Sequence, residues 1–380
     1  MDVLLLNRCS ELPYYDWGYL HGFAHHGIRL MYVPEQTSDQ ATLPEILSTC
    51  PARPSLIIGT EWGGFPLPVG LTQVDIPTLT FQQDTFAYTH RRIRWSMLFD
   101  YVVVFHSGFE QQFRAAGHSR VFTMPWPVLA ELYDTPEQDR SYEVGWVGLV
   151  GADSYRSEQM YRTRRRVLES LRKEFLMNAP QNGHILTQRE MADVYLRSRV
   201  VVNVCRDDFP FEANTRMFEA MGAGALLVVR QGNEIGDLGF KEGIHFVTYQ
   251  DEAEIVPLVR RYLNDEPARR RLASAARKKV LGEHTYEIRV SEILKLLEED
   301  RGRLLAPARS WPEHRVGLTY LDFHAAYGRL NLARREWPRV ARQNLGSALK
   351  GAALIAGSWS RRWRGRIRFP RNNSATPTTR

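Results

Sequence analysis

A chain of 380 residues with 43% hydrophobic and 11% aromatic content is long enough for two packed domains, which excludes a disordered polymer. Its three cysteines, Cys9, Cys50 and Cys205, cannot all pair and lack metal-ligand spacing, which excludes a disulfide framework and points to a reducing compartment, the cytoplasm. The net charge of +7 is unevenly spread: residues 329–380 hold 13 Lys and Arg against Glu336 alone, a net of +12, so residues 1–328 carry −5 (+7 less +12).

In chain order, Asp2 to Asn7 reads as an opening strand rather than a signal peptide, for it lacks a positive leading region. A helix from about Trp17, a strand over Ile28–Val33 and a short helix over Pro44–Cys50 follow. Ser55–Gly59 is the next strand, with Glu61 and Trp62 just beyond its C-terminal end. Thr78–Phe81 is another strand, and Asp84 lies past it. Helices over Arg91–Phe99 and Phe109–Ala116 flank the strand Tyr101–Phe105, and Val121–Met124 closes the series. In open parallel sheets ligands sit at the C-terminal strand ends. The polar stretch 134–142 (DTPEQDRSY) reads as a linker.

A second series then begins. Val144–Val147 ends at Gly148, and the helix Arg162–Phe175 carries Arg164, Arg165 and Arg166 in a row. Gln188–Ser198 is helical and leads into the strand Val200–Val204. Residues 207–229 (DDFPFEANTRMFEAMGAGALLVV) read as a loop, a short helix with Asn214, Arg216 and Glu219 near its start, a break at Gly222 and Gly224, and a buried strand. Backbone N–H groups at such a helix start attract phosphate. A strand over His245–Thr248 and helices over Glu252–Leu263, Pro267–Glu283 and Tyr286–Asp300 complete the series. The alternation predicts two doubly wound α/β domains facing a cleft, residues 1–135 and 140–300, with a helical extension and basic tail over 301–380.

Three pieces share one pattern: residues 189–203 (REMADVYLRSRVVVN), the run from Asn214 through Arg216 and Glu219 to Leu227, and residues 142–148 (YEVGWVG) followed by the arginine-rich helix. Together with Ser107–Gly117 (SGFEQQFRAAG) they resemble glycosyltransferases of the GT-B fold, and within these the CgeB-like branch of the glycosyl transferases group 1 clan. The resemblance implies a nucleotide-sugar donor on the second domain and an acceptor on the first, with no cofactor or metal. It implies that Glu219 holds the donor ribose and that Arg216 neutralises diphosphate charge. Gly148 would let the backbone approach the phosphates, and Asn214 would contact donor hydroxyls or the diphosphate. The clan often carries a first glutamate eight positions before the second; here that position is Phe211, and Glu212 is one residue off. Either Glu212 serves through a bulged loop or Asn214 stands in, and the second is favoured.

Other assignments rest on residue chemistry. Of the three consecutive arginines, Arg165 is favoured to reach phosphate, against a solvated helix face for all three. Asp84, His90 and His106 are the acid–base candidates for an acceptor hydroxyl; Asp84 could equally cap a helix, and His106 reads first as a buried, hydrogen-bonded histidine. Glu61 and Trp62 would hold the acceptor, a glycan, a lipid-linked precursor or a small molecule. For Asn214, Arg216 and Glu219 the plain alternative is a helix start with a surface i,i+3 ion pair. Residues 345–371 join an apolar stretch to Arg361, Arg362, Arg364, Arg366 and Arg368 with aromatics between. This suits an in-plane helix on anionic lipid, at the inner face of a membrane, against a helix packed back on the first domain; nucleic acid ranks below both. A catalytically idle nucleotide-sugar module, or a membrane assembly partner, is the alternative function, and a phosphate-binding epimerase a third.

Overall fold

Apolar runs such as Tyr101–Val104 (YVVV) and Leu226–Val229 have no polar face to turn to water, so they require cover on both sides, which parallel sheets flanked by helices provide. The computed structural model describes residues 1–9, 14–60, 65–134, 139–151, 159–179, 186–301 and 303–364. It divides into two units, one of residues 1–124 and 293–380, the other of residues 125–292.

The first unit holds six strands: β1 (Asp2–Leu5), β2 (Arg29–Tyr32), β3 (Leu56–Thr60), β4 (Thr78–Gln82), β5 (Tyr101–Val104) and β6 (Val121–Thr123), in the order β2-β1-β3-β4-β5-β6. All neighbours run parallel. The second unit holds β7 (Tyr142–Gly145), β8 (Met177–Asn178), β9 (Ser198–Val202), β10 (Leu226–Arg230) and β11 (Phe246–Tyr249), in the order β11-β10-β9-β7-β8, again all parallel. Two-residue β8 was not foreseen, for two residues carry no periodicity. Helices start where capping residues stand. Before Gln188–Leu196, Thr187 Oγ1 accepts the Glu190 N–H at 3.2 Å while Glu190 Oε2 accepts the Thr187 N–H at 2.7 Å.

The C-terminal segment is built into the first unit. Asp100, fully buried beside β5, accepts from Thr78 N–H and Oγ1 at 2.8 Å each. Its other oxygen accepts from Leu305 N at 2.6 Å, Ala306 N at 2.7 Å and Arg309 Nε at 3.1 Å. A buried carboxylate is tolerated only when so satisfied, and here its partners lie on both the sheet and the returning chain. The helix Glu313–Ala326 then lays Tyr320 and Phe323 into the core beside Trp95, Phe99 and Leu71. The Trp95 and Phe323 rings meet edge to face at 4.8 Å. The last helix, Leu345–Arg364, rests Leu354 and Ile355 against Leu321, Ala325 and Ala333. Its apolar stretch therefore has a protein partner, and Leu345 and Leu349 are the exposed large hydrophobic side chains of its described part. No helix among the described residues is long and apolar enough to cross a membrane.

Candidate active site

In the second unit the C-terminal ends of β7, β9 and β10 collect the polar side chains. After β7 the chain passes Trp146 and Val147 to Gly148, whose φ is +155°. A Cβ there would lie 2.5 Å from Arg216 Nη1, so only glycine lets the guanidinium approach. Arg216 stands in the helix Thr215–Gly222, which ends at Ala223 and Gly224, the latter at φ +73°. Its Nη1 donates to the Val147 carbonyl at 3.4 Å and its Nε to Asn214 Oδ1 at 3.2 Å. Asn214 is the N-cap of that helix and is buried.

The arginine-rich helix Arg162–Glu174 faces the same loop. Arg164, 3% exposed, donates through Nε to the Val204 carbonyl at 2.7 Å and through Nη1 to the Leu149 carbonyl at 3.1 Å. Burial, and then the nearby Arg216 charge, pull its pKa down from the usual guanidinium value. Arg165 is half-buried and donates to the Gly151 carbonyl at 2.9 Å. Arg166 turns outward to Glu252, at 2.5 Å. Of the three, Arg164 is the one buried beside Arg216, and Arg165, favoured from the sequence, reaches the same loop. Both residues order the loop after β7 through its carbonyls.

Glu219 is 5% exposed, and burial pushes its carboxyl up to about 8. A surface i,i+3 pair with Arg216 is therefore not its arrangement. The neighbouring loop is held by the buried Cys205, whose thiol donates to the Glu212 carbonyl at 3.2 Å; Asn233 Nδ2 donates to the same carbonyl at 3.0 Å. Fixed in this way, the loop turns Glu212 inward, at 7% exposed, and Phe211 outward, at 44% exposed under the Arg230 guanidinium. Glu212 rather than Phe211 joins the buried set with Asn214. The indole N–H of Trp146 is also buried, without a hydrogen-bond partner among the described residues and 3.9 Å from where a Gly148 Cβ would stand.

A cavity of about 110 Å³ opens at the same strand ends, lined by residues that include Thr163, Cys205, Arg230 and Tyr249. A larger one of about 810 Å³, with Arg140, Arg199 and Gly224, lies at the opposite, N-terminal ends of the strands. Open α/β sheets bind ligands at the C-terminal ends; the smaller cavity lies there, although Arg164, Arg216 and Glu219 are not among its lining residues. Asp208 is paired to Arg206 at 2.6 Å.

In the first unit, Asp84 is half-buried just past β4. It is flanked by Gln82, Gln83 and Thr85, all nearly or fully buried and each with a side-chain polar atom lacking a partner among the described residues. His90 is exposed on the helix Thr89–Ser96. His106 is 0% exposed, between the edges of Phe86 at 6.0 Å and Phe109 at 6.3 Å. The His106 ring is thus enclosed, as the plainer reading of a buried histidine expects. Glu61 and Trp62 lie outside the described residues.

With this geometry in hand, the comparisons with known proteins are specific about fold. Residues 151–295 match a family model described as Glycosyl transferase-like. No curated protein matches the sequence. Among solved structures, the Anabaena HepE protein in complex with UDP and glucose matches with a TM-score of 0.53 at 12% identity, over 78% of this chain and 100% of that one. Sucrose-phosphate synthase from Thermosynechococcus elongatus matches with a TM-score of 0.51 at 13% identity, over 79% and 100%. A glycosyltransferase from Rickettsia africae matches with 0.51 at 10% identity, over 78% and 98%. The fold is GT-B. The span that matches the family model lies almost entirely in the second unit, and the buried residues Arg164, Arg216 and Glu219 all fall within it.

Proposed function

We propose that the protein is a glycosyltransferase that moves a sugar from a nucleotide-sugar, with a UDP-sugar as the first candidate, to an acceptor hydroxyl. One observation carries the proposal: Arg164 and Arg216 are brought together beside the Gly148 loop, in the helix-flanked strand ends where Glu219 is also buried. Two guanidiniums held that close raise each other's energy until an anion joins them, and a diphosphate is the anion the GT-B fold suggests. The complexes of the HepE neighbour with UDP and with UDP-glucose support the choice of nucleotide.

The chemistry follows from the placement. Glu219 accepts hydrogen bonds from the two ribose hydroxyls. Arg216 and Arg164 face the diphosphate, and Gly148 leaves it room. As the bond from the anomeric carbon to the phosphate oxygen breaks, negative charge grows on the leaving diphosphate, and preorganised guanidiniums stabilise that charge more than the ground state. That task falls to the arginines, without a resident metal or other cofactor. Asn214, or Glu212 beside it, would meet the sugar hydroxyls. On the first unit Asp84, amid the polar ridge of Gln82, Gln83 and Thr85, would accept the acceptor's proton; exposed His90 is the second choice.

The CgeB-like branch, a cell-surface glycan or lipid-linked acceptor and a cytoplasmic setting belong to the same proposal. Contact with an anionic membrane by 345–371 would rest on the arginines toward the C-terminus, because the helix before them has its apolar face on Leu321 and Ala325. The test is calorimetric titration with UDP and with uridine. Arg216→Gln should weaken UDP by about 10- to 100-fold, the range for one lost charged hydrogen bond of about 1.5–3 kcal/mol, and leave uridine unchanged. Equal UDP affinity in the two proteins would overturn the diphosphate assignment. Binding of UDP-sugars without any turnover would favour an idle module.

A further inference from the structure

The first unit contains a built cavity, apart from the strand-end residues around Asp84. It measures about 350 Å³, within the range of small-ligand sites. Its walls are residues 39–42 and 67–69, on the loops that follow β2 and β3, together with the helices Glu313–Ala326 and Leu330–Gln343. The C-terminal segment is therefore half of the enclosure.

Two buried polar side chains line it, each with one polar atom that lacks a hydrogen-bond partner among the described residues. Glu336 is 7% exposed and its Oε2 has no hydrogen-bond partner among the described residues. His324 is 2% exposed and its Nδ1 has none either. Burial raises the Glu336 carboxyl and holds His324 neutral, at about 3. Native interiors rarely leave such groups unsatisfied. Around them stand Arg335, Arg339 and Arg342. Arg335 is tied to the Gln40 carbonyl at 2.5 Å. Arg339 lies close enough to Glu336 to oppose the effect of burial on its carboxyl and pairs with Glu313 at 3.9 Å, and Arg342 donates through Nε to the Pro338 carbonyl at 3.3 Å. Each keeps most of its five N–H donors for another acceptor. Asp39, at the rim, is neutralised by Arg8 at 2.6 Å.

These groups restrict what fits. A cation is opposed by three guanidiniums. A bare anion would leave Glu336 and His324 unsatisfied and would face the carboxyl. A neutral apolar molecule satisfies nothing. We propose that this cavity binds a small acidic polyol, a ligand whose hydroxyls meet Glu336 and His324 and whose phosphate or carboxylate meets Arg339 and Arg342. The site does not depend on the nucleotide-sugar assignment, and its ligand is recognised whether or not the second unit transfers sugar.

The experiment is calorimetric titration of the full chain with glycerol 3-phosphate, ribose 5-phosphate and gluconate, with inorganic phosphate and glycerol as controls. At least one acidic polyol should bind tenfold or more tighter than either control. The phosphorylated compounds and gluconate separate a phosphate from a carboxylate preference. Arg339→Gln, at a half-buried position, and Glu336→Leu, an apolar replacement for a buried carboxylate that tends not to destabilise, should each weaken that binding at least tenfold and leave UDP affinity unchanged. Inorganic phosphate binding as tightly as the polyols, no binding by any of the three, or full affinity in folded Arg339→Gln would each overturn the proposal.

Discussion

Replacing Glu219 with Gln separates the donor-site role of this residue from a structural one. In the folded protein burial lifts the carboxyl to about 8 from 4.5. The native state therefore binds a proton that the unfolded chain has released over that interval. Stability from this group is full below about 4.5, falls as pH rises, and is lost above about 8. The difference amounts to a few kcal/mol, at about 1.4 kcal/mol for each unit of displacement. Gln carries no charge and escapes the loss. At pH 8.5 Glu219→Gln should thus melt no lower than the wild type, and higher if packing is retained. Binding should move the other way. Two hydroxyl hydrogen bonds to a carboxylate contribute about 1.5–3 kcal/mol each, so the variant should lose about 100-fold or more in UDP affinity. Wild-type affinity should climb from pH 6.5 toward 8 as the carboxylate forms, and the variant's should stay flat. Calorimetry and thermal melts across that pH range measure both. A variant that binds UDP as tightly as the wild type, or that is destabilised at pH 8.5, would refute the reasoning.

Asp100→Ala should cost about 3–5 kcal/mol, because it strands Arg309 and several N–H donors in the core; urea unfolding of the full chain measures it, and a loss under 1 kcal/mol would show that the clasp is incidental. Gly148→Ala, with a Cβ 2.5 Å from Arg216 Nη1, should weaken UDP at least tenfold and uridine hardly at all; a parallel loss of both would place the defect elsewhere. Incubation with EDTA should leave sugar transfer unchanged, and restoration of lost activity by Mg²⁺ would assign the leaving-group charge to a metal. Full-length protein should sediment with anionic liposomes at low salt and a chain ending after residue 364 should not; equal sedimentation would end the membrane proposal.

Much of the architecture was legible because parallel strands declare themselves as short apolar runs closed by turn residues. The helix Thr215–Gly222 was legible because Asn214, Arg216 and Glu219 sit between such a run and a glycine break. Arg164 was readable in principle. Arg164, Val167, Leu168 and Leu171 are one helical stripe, and all four are buried; following the period from the leucines would have selected Arg164 over Arg165. Asp100 offered a similar signal, a lone carboxylate within the apolar run 97–105, where only a satisfied, buried role is tolerable. The return of the C-terminal segment is not legible in the sequence, since its partners Asp100, Trp95 and Leu71 lie more than 200 residues away and leave no local pattern. The inward turn of Glu212 depends on Cys205 and Asn233 gripping its carbonyl, a tertiary contact that spacing rules count past.

The most direct measurement is the release of nucleoside diphosphate from a panel of UDP-, GDP- and TDP-sugars by the purified full-length chain, with Glu219→Gln and Arg216→Gln in parallel. Turnover of at least one sugar nucleotide by the wild type, lost in both variants while each remains folded, is the predicted result. Neither binding nor turnover of any nucleotide in the panel, or turnover that both variants retain, would contradict the account.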